Sequence, residues 1–114
     1  MSIASDLMRG NTEMILLARL MKKESYGYEI NKVIQAATGG QLELKEATLY
    51  GAFCRLEAVG HIVSYWGDET TGARRRYYRI TPAGRQAFAQ SRAEWEQARR
   101  LIDKLIAQEG ENHD

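Results

Sequence analysis

A chain of 114 residues suits one domain whose core buries roughly two-thirds of the unfolded surface. Hydrophobic content of 44% and charged content of 27% are ordinary for a globular protein, and no apolar run approaches the ~18 residues of a membrane span. A net charge of +1 excludes a wholly basic, indiscriminate nucleic-acid binder and moves attention to local basic patches, while the single cysteine, Cys54, can form neither an internal disulfide nor a zinc site alone.

Residues 1–10 lack the basic start and apolar middle of a signal peptide, which predicts a cytoplasmic protein. Asn11 is placed to cap a first helix through Met14, Ile15, Leu16, Leu17, Ala18, Leu20 and Met21 to Lys22 and Lys23. That helix is apolar nearly all round, which predicts burial on more than one side, with a second chain over part of it. Ser25 is read as the cap of a second helix. Its Ile30, Val33, Ile34 and Ala37 recur at helical spacing, and Gly39 and Gly40 end it. A third helix starts near Lys45 and Glu46, carries the inner stripe Leu49, Ala52, Phe53 and Leu56, and stops at Gly60. Its opposite face is small or basic (Ala47, Gly51, Cys54, Arg55), with Thr48 and Tyr50 on the flanks.

The period then changes. Residues 62–66 and 75–80 are rich in β-branched and aromatic side chains and predict a β-hairpin, with a polar, turn-rich tip over residues 67–72. Thr81 and Pro82 signal the cap and first position of a last helix running to about Gln108, roughly 27 residues or about 40 Å. Phe88, Trp95 and Ile102 are spaced by seven, and Ser91, Ala98 and Leu105 follow each by three, a heptad seam suited to packing along another helix. Residues 110–114 read as a frayed, disordered tail.

Three short helices, a hairpin and a long helix make a winged helix-turn-helix: a mainly α fold with a β-hairpin wing and a C-terminal dimerisation helix. Its DNA-binding unit covers residues 1–81, its dimerisation helix 82–109. In such a fold the third helix enters the major groove, about 12 Å wide, and the wing lies along the phosphates. Ala47 and Gly51 would let that helix approach base edges closely. Thr48, Tyr50 and Arg55 would reach bases or phosphates, with Lys45 adding charge at the helix start. Arg74, Arg75, Arg76 and Arg79 put four arginines in six residues beside the turn, a dense positive field read as lying on one short strand. Each feature has a plainer reading: a solvated strand, a purely structural seam, Cys54 as a small filler, Tyr26 and Tyr28 as packing for the second helix. An enzyme is disfavoured, because the chain has no phosphate-cradling glycine loop, HExxH or nucleophile elbow, and His61 and His113 are far apart in sequence. No cofactor or metal is expected. The alternative to DNA binding is a winged-helix protein-interaction module.

The runs Tyr26-Gly27-Tyr28-Glu29-Ile30, then Glu46-Ala47-Thr48-Leu49-Tyr50 with Arg55-Leu56-Glu57 and Gly60, then Gly72-Ala73-Arg74-Arg75-Arg76-Tyr77-Tyr78 with Ile80-Thr81 and Gly84, closely resemble the PadR family of transcriptional regulators over about residues 14–106. The single C-terminal helix is similar to that of the compact subfamily. The Ser64-Tyr65-Trp66-Gly67-Asp68-Glu69 run resembles multidrug-binding PadR-type repressors. The resemblance implies a homodimer whose long helices pack against the partner's first helix, bound to a palindromic operator, usually as a repressor. It places Tyr26, Thr48 and Tyr50 toward DNA and Arg74 and Arg75 on the wing. Half-sites about one helical turn apart, roughly 10 base pairs, would follow.

Trp95 is the most informative residue for an effector. In the resembling repressors, aromatic residues here line a pore between subunits where planar aromatic compounds stack. Independently, an indole near a twofold axis meets its own copy and makes a flat apolar slot. The plainer reading is an interface anchor. Arg92 and Arg99 share the helical flank of Trp95 and favour an aromatic acid or a neutral planar compound. Met8, Glu13 and Met14 are candidates for the same cavity. Phe88, Ala98, Ile102 and Leu105 are the expected dimer contacts.

Overall fold

Alternation and helical periodicity along the chain resolve into helices α1 (Thr12–Lys22), α2 (Gly27–Ala37), α3 (Glu46–Ala58) and α4 (Pro82–Ile106) and strands β1 (Ser25–Tyr26), β2 (Ile62–Trp66) and β3 (Arg76–Ile80), in the order α1-β1-α2-α3-β2-β3-α4. The computed structural model describes residues 8–68 and 74–107. Residues 69–72 of the hairpin tip expected over 67–72, and the expected tail at 110–114, lie outside the described residues.

Helix α1 organises the core. Leu16, Leu17 and Leu20 are buried, and the helix packs against α3, β3 and α4 of its own chain. Met14, Ile15 and Ala18 are half-buried and Met21 is exposed, so part of its apolar surface stays open. Asn11 does precede the helix, but its side chain makes no cap bond: the chain enters through a 3₁₀ turn, Arg9–Asn11, and Asn11 sits in the α region. An N-cap side chain works from extended backbone, so this geometry denies it the bond.

Ser25 does not cap α2. It lies in β1, the third strand of a sheet ordered β1-β3-β2, all antiparallel, and pairs with Tyr78 while Tyr26 pairs with Tyr77. The wing is thus a hairpin with a two-residue strand added on its free edge. Hairpin register runs from Ile62 opposite Ile80 to Trp66 opposite Arg76. Ile62, Tyr78 and Ile80 face the core, where Phe53 of α3 stacks on Tyr78 with ring centroids 3.9 Å apart.

The predicted inner stripe of α3, Leu49, Ala52, Phe53 and Leu56, is buried throughout. Gly39 and Gly40 follow α2 with φ of 61° and 82°, left-handed backbone that favours glycine. The loop onward to α3 is pinned by Asn31, whose Nδ2 donates to the Leu44 carbonyl (2.8 Å) and whose Oδ1 accepts from the Leu44 N–H (3.0 Å).

Helix α4 starts as its sequence dictates: Thr81 Oγ1 accepts from the Gly84 N–H at 3.0 Å and Pro82 occupies the first turn. Twenty-five residues give it about 37 Å of length. The heptad seam divides along it. Phe88 packs half-buried on its own core, whereas Leu101, Ile102, Leu105 and Ile106 are 50–80% exposed. Among the described residues no helix is long and apolar enough to cross a membrane.

Gly84 fixes where α4 leaves the sheet. A Cβ there would stand 2.1 Å from the His61 carbonyl oxygen and 2.8 Å from Ile80 Cγ1. Backbone cannot give way as a flexible side chain can, so Gly84→Ala is expected to cost at least about 2 kcal/mol, read as a lower urea midpoint at unchanged m-value.

Candidate nucleic-acid interface and the adjoining groove

Lys45 ends the pinned loop in extended geometry, and α3 then turns its outer face to solvent. Ala47 and Cys54 are exposed and Gly51 half-exposed along that crest, with Thr48 exposed beside it. Tyr50, 40% exposed, leans the other way, toward α2, edge-on to Phe53. Gly27 makes this possible, since a Cβ there would lie 2.8 Å from the Tyr50 hydroxyl. The sequence held no periodic signal for that contact. Arg55 lies on the flank facing α1, and its Nε donates to Glu13 Oε2 at 2.6 Å. A residue expected on DNA and one expected at a ligand are therefore paired with each other.

The arginine run is split by the pleat. Arg74 and Arg75 precede β3 instead of lying in it; Arg76 and Arg79 are in the strand. Arg76 is a strut: its Nη2 donates to Ser64 Oγ (2.7 Å), which donates to Glu57 Oε2 (2.7 Å), and the guanidinium lies 3.8 Å from that carboxylate. It ties wing to α3, and its charge is partly met by Glu57. Arg75 lies over the Tyr26 ring at 4.8 Å, and Tyr26 is edge-on to Tyr77. Strand β1 thus carries Tyr26 to the wing. Arg74 lies over the Trp66 ring at 5.6 Å and donates from Nε to the Gly67 carbonyl at 3.3 Å. Tyr28 does not pack α2; it is 66% exposed, with the Lys32 ammonium over its ring.

Between α1, α3 and the middle of α4 runs an open groove of about 1210 Å³. Met8, Glu13, Met14, Trp95 and Ala98 line it, and so do Lys45, Thr48 and Arg55. Four of the six expected ligand residues come together here, on the same groove as three residues expected to bind DNA. Arg92 and Arg99 do not line it. Arg92 pairs with Glu96 at 3.4 Å and Arg99 with Asp103 at 3.7 Å, each one turn along the helix, and Arg99 covers the Trp95 ring at 5.7 Å. Both arginines carry an acidic partner on their own helix, beside the groove and not in its lining. Among the described residues no group of three or more His, Cys, Asp or Glu is placed to hold a metal.

Comparison with known proteins gives a consistent answer. A family model described as the transcriptional regulator PadR-like family matches residues 16–90. An uncharacterised protein of Lysinibacillus sphaericus is 40% identical over 104 residues, covering 91% of this chain and 95% of that protein. Among solved structures, a transcriptional regulator from Clostridium thermocellum is similar with a TM-score of 0.84 at 47% identity, covering 92% of this chain and 99% of that one. A PadR family transcription regulator from Clostridium difficile R20291 follows at a TM-score of 0.73 and 32% identity, covering 85% and 99%.

At the foot of the wing, Glu29 accepts from the Ser25 hydroxyl and pairs with Lys23 at 3.3 Å. The Ser25 hydrogen bond first, then Lys23 and Arg75, hold its carboxyl below the usual carboxylate range against an opposing effect of burial. A carboxyl depressed in the fold contributes stability above its ordinary value and loses it as pH falls through the depressed one. Ser25→Ala is expected to move the Glu29 titration upward, toward the ordinary value, in a carbon-detected NMR pH series.

Proposed function

Because the chain belongs to the PadR-like family of transcriptional regulators, we propose that it is a homodimeric, DNA-binding repressor of a palindromic operator, with α3 in the major groove and the wing on the phosphates. The observation that carries this reading is the solvent-facing crest of Ala47 and Gly51 on α3, in one domain with the exposed Arg74 and Arg75 of the wing. Small residues admit the helix backbone to base edges, Tyr50, Thr48 and Lys45 flank the approach, and wing arginines displace counterions from phosphate. Arg55 joins that set when it parts from Glu13.

Dimerisation is supported by the far half of α4, whose Leu101, Ile102, Leu105 and Ile106 form an apolar face that stands exposed among the described residues. Contiguous exposed apolar surface of this kind marks a protein contact. A twofold pair would space the two α3 helices for half-sites about 10 base pairs apart.

The groove is proposed as an effector site for planar aromatic compounds, stacking on Trp95. Trp95 is 43% exposed and Met8 and Met14 supply soft apolar walls. An occupant would touch the Glu13–Arg55 pair and so bear directly on α3.

Anisotropy titration with duplex from upstream of the protein's own gene tests the central claim: specific binding should survive excess competitor DNA and steepen as salt falls. Binding that is equal for every duplex would overturn the operator reading. Arg75→Ala should weaken binding to all sequences alike and lower the slope of log affinity against log salt by about 0.9, whereas Tyr50→Ala should relax discrimination between sequences. The pair Ile102→Asp and Leu105→Asp should sediment as a folded monomer; an unchanged dimer would remove α4 as the interface.

A further inference from the structure

Trp66 is an unexplained residue: a large aromatic side chain, 52% exposed, at the end of β2 where the wing leaves the domain. It contributes nothing to the core, and neither its strand periodicity nor the groove accounts for it. Two guanidiniums lie over its ring, Arg74 at 5.6 Å and Arg76 at 5.5 Å from the centroid. The two arginines differ in every other contact. Arg76 is tied to Ser64 and Glu57, so its charge is partly met by protein. Arg74 reaches back across the hairpin to the Gly67 carbonyl, a neutral acceptor, and among the described residues pairs with no carboxylate.

We propose that Trp66 is a positioning residue for DNA binding, holding the Arg74 guanidinium in place as a preformed phosphate contact of the wing. The proposal rests on the reading of the wing as a phosphate-binding element. Its chemistry is that of an aromatic ring face. The ring face carries negative quadrupole density and attracts a guanidinium without neutralising it, and Trp does so best of the aromatic residues. A carboxylate in the same place would hold Arg74 as well and cancel the charge the phosphate needs. A ring beneath the guanidinium takes none of its N–H groups, and with Nε on Gly67 the terminal N–H groups are left for a phosphate. The Gly67 carbonyl takes the Nε hydrogen and fixes the fork's direction. Ordering is thereby done during folding instead of at the moment of binding.

The test is anisotropy at several salt concentrations on the operator duplex found above, with wild type, Trp66→Leu, Trp66→Phe, Arg74→Ala and the double variant Trp66→Leu/Arg74→Ala. Trp66→Leu keeps the apolar bulk and removes the ring; it is expected to bind about two- to fivefold more weakly, the range of an exposed cation–π contact. Part of the salt slope should go with it. Trp66→Phe should recover most of that loss. The double variant should bind no more weakly than Arg74→Ala, because Trp66 acts through Arg74. Matching thermal melts would show that each variant is folded. A double variant weaker than Arg74→Ala by the full Trp66→Leu factor would overturn the proposal, as would a Trp66→Leu protein with wild-type affinity. If Arg74→Ala binds as wild type does while the operator is still recognised, the wing-phosphate contact at Arg74 falls and the role of Trp66 with it. Failure of wild type to recognise any duplex would instead remove the DNA-binding reading itself.

Discussion

The stack of Phe53 on Tyr78 is the contact on which the arrangement depends. Phe53 is the largest fully buried side chain in α3, Tyr78 is the middle residue of the middle strand, and their rings lie 13° from parallel. Tyr78 is paired on one side with Ser25 and on the other with Ser64, so all three strands meet beneath the same ring. Burial pushes the Tyr78 hydroxyl pKa up, as expected of a phenol held away from water. A helix and a hairpin sharing one aromatic joint cannot turn independently. The Arg76–Ser64–Glu57 chain adds a polar tie at the outer edge of the same joint. Helix crest and wing are therefore presented as one rigid surface, which is what a double-helical partner of fixed pitch requires.

What was legible in the sequence was whatever depends on near neighbours. The Thr81–Pro82 start of α4, the buried stripe of α3, the glycines after α2 and the extent of β2 follow from capping, periodicity and backbone freedom within a few residues. What failed depends on partners far along the chain. Ser25 looks like a helix cap until Tyr78, 53 positions later, is known to pair with it. The pairing of Arg55 with Glu13, 42 positions earlier, is likewise invisible until the helices are packed. The arginine run looks like one patch until the pleat sends alternate members to opposite faces. Arg92 with Glu96 and Arg99 with Asp103 stand at the spacing of helical ion pairs, a signal legible in the sequence.

The groove changes how the two expected sites relate. They were read from the sequence as a DNA face and a separate slot between subunits. In the fold, Lys45, Thr48 and Arg55 of the first share a wall with Glu13, Met14 and Trp95 of the second. The route between an occupant and α3 is then one ion pair long. That pair is exposed, with side chains 62% and 42% accessible, so it is worth little to stability and is easily exchanged for another partner. Such a contact is suited to adjustment and unsuited to holding the fold together, which the apolar core does without it.

Helix α4 also has a mechanical character. Its first turn is seated by the Gly84 backbone against the His61 carbonyl, and among the described residues none beyond Phe88 belongs to the core cluster of its own chain. It is a rod clamped at one end. Over about 37 Å, each degree of tilt at the clamp moves the far end by about 0.6 Å. Small rotations of the helix-and-wing unit are therefore amplified at Leu105 and Ile106, and a constraint on those residues is returned to the clamp as fine angular control. The backbone contact at Gly84 thus sets the angular tolerance of the molecule.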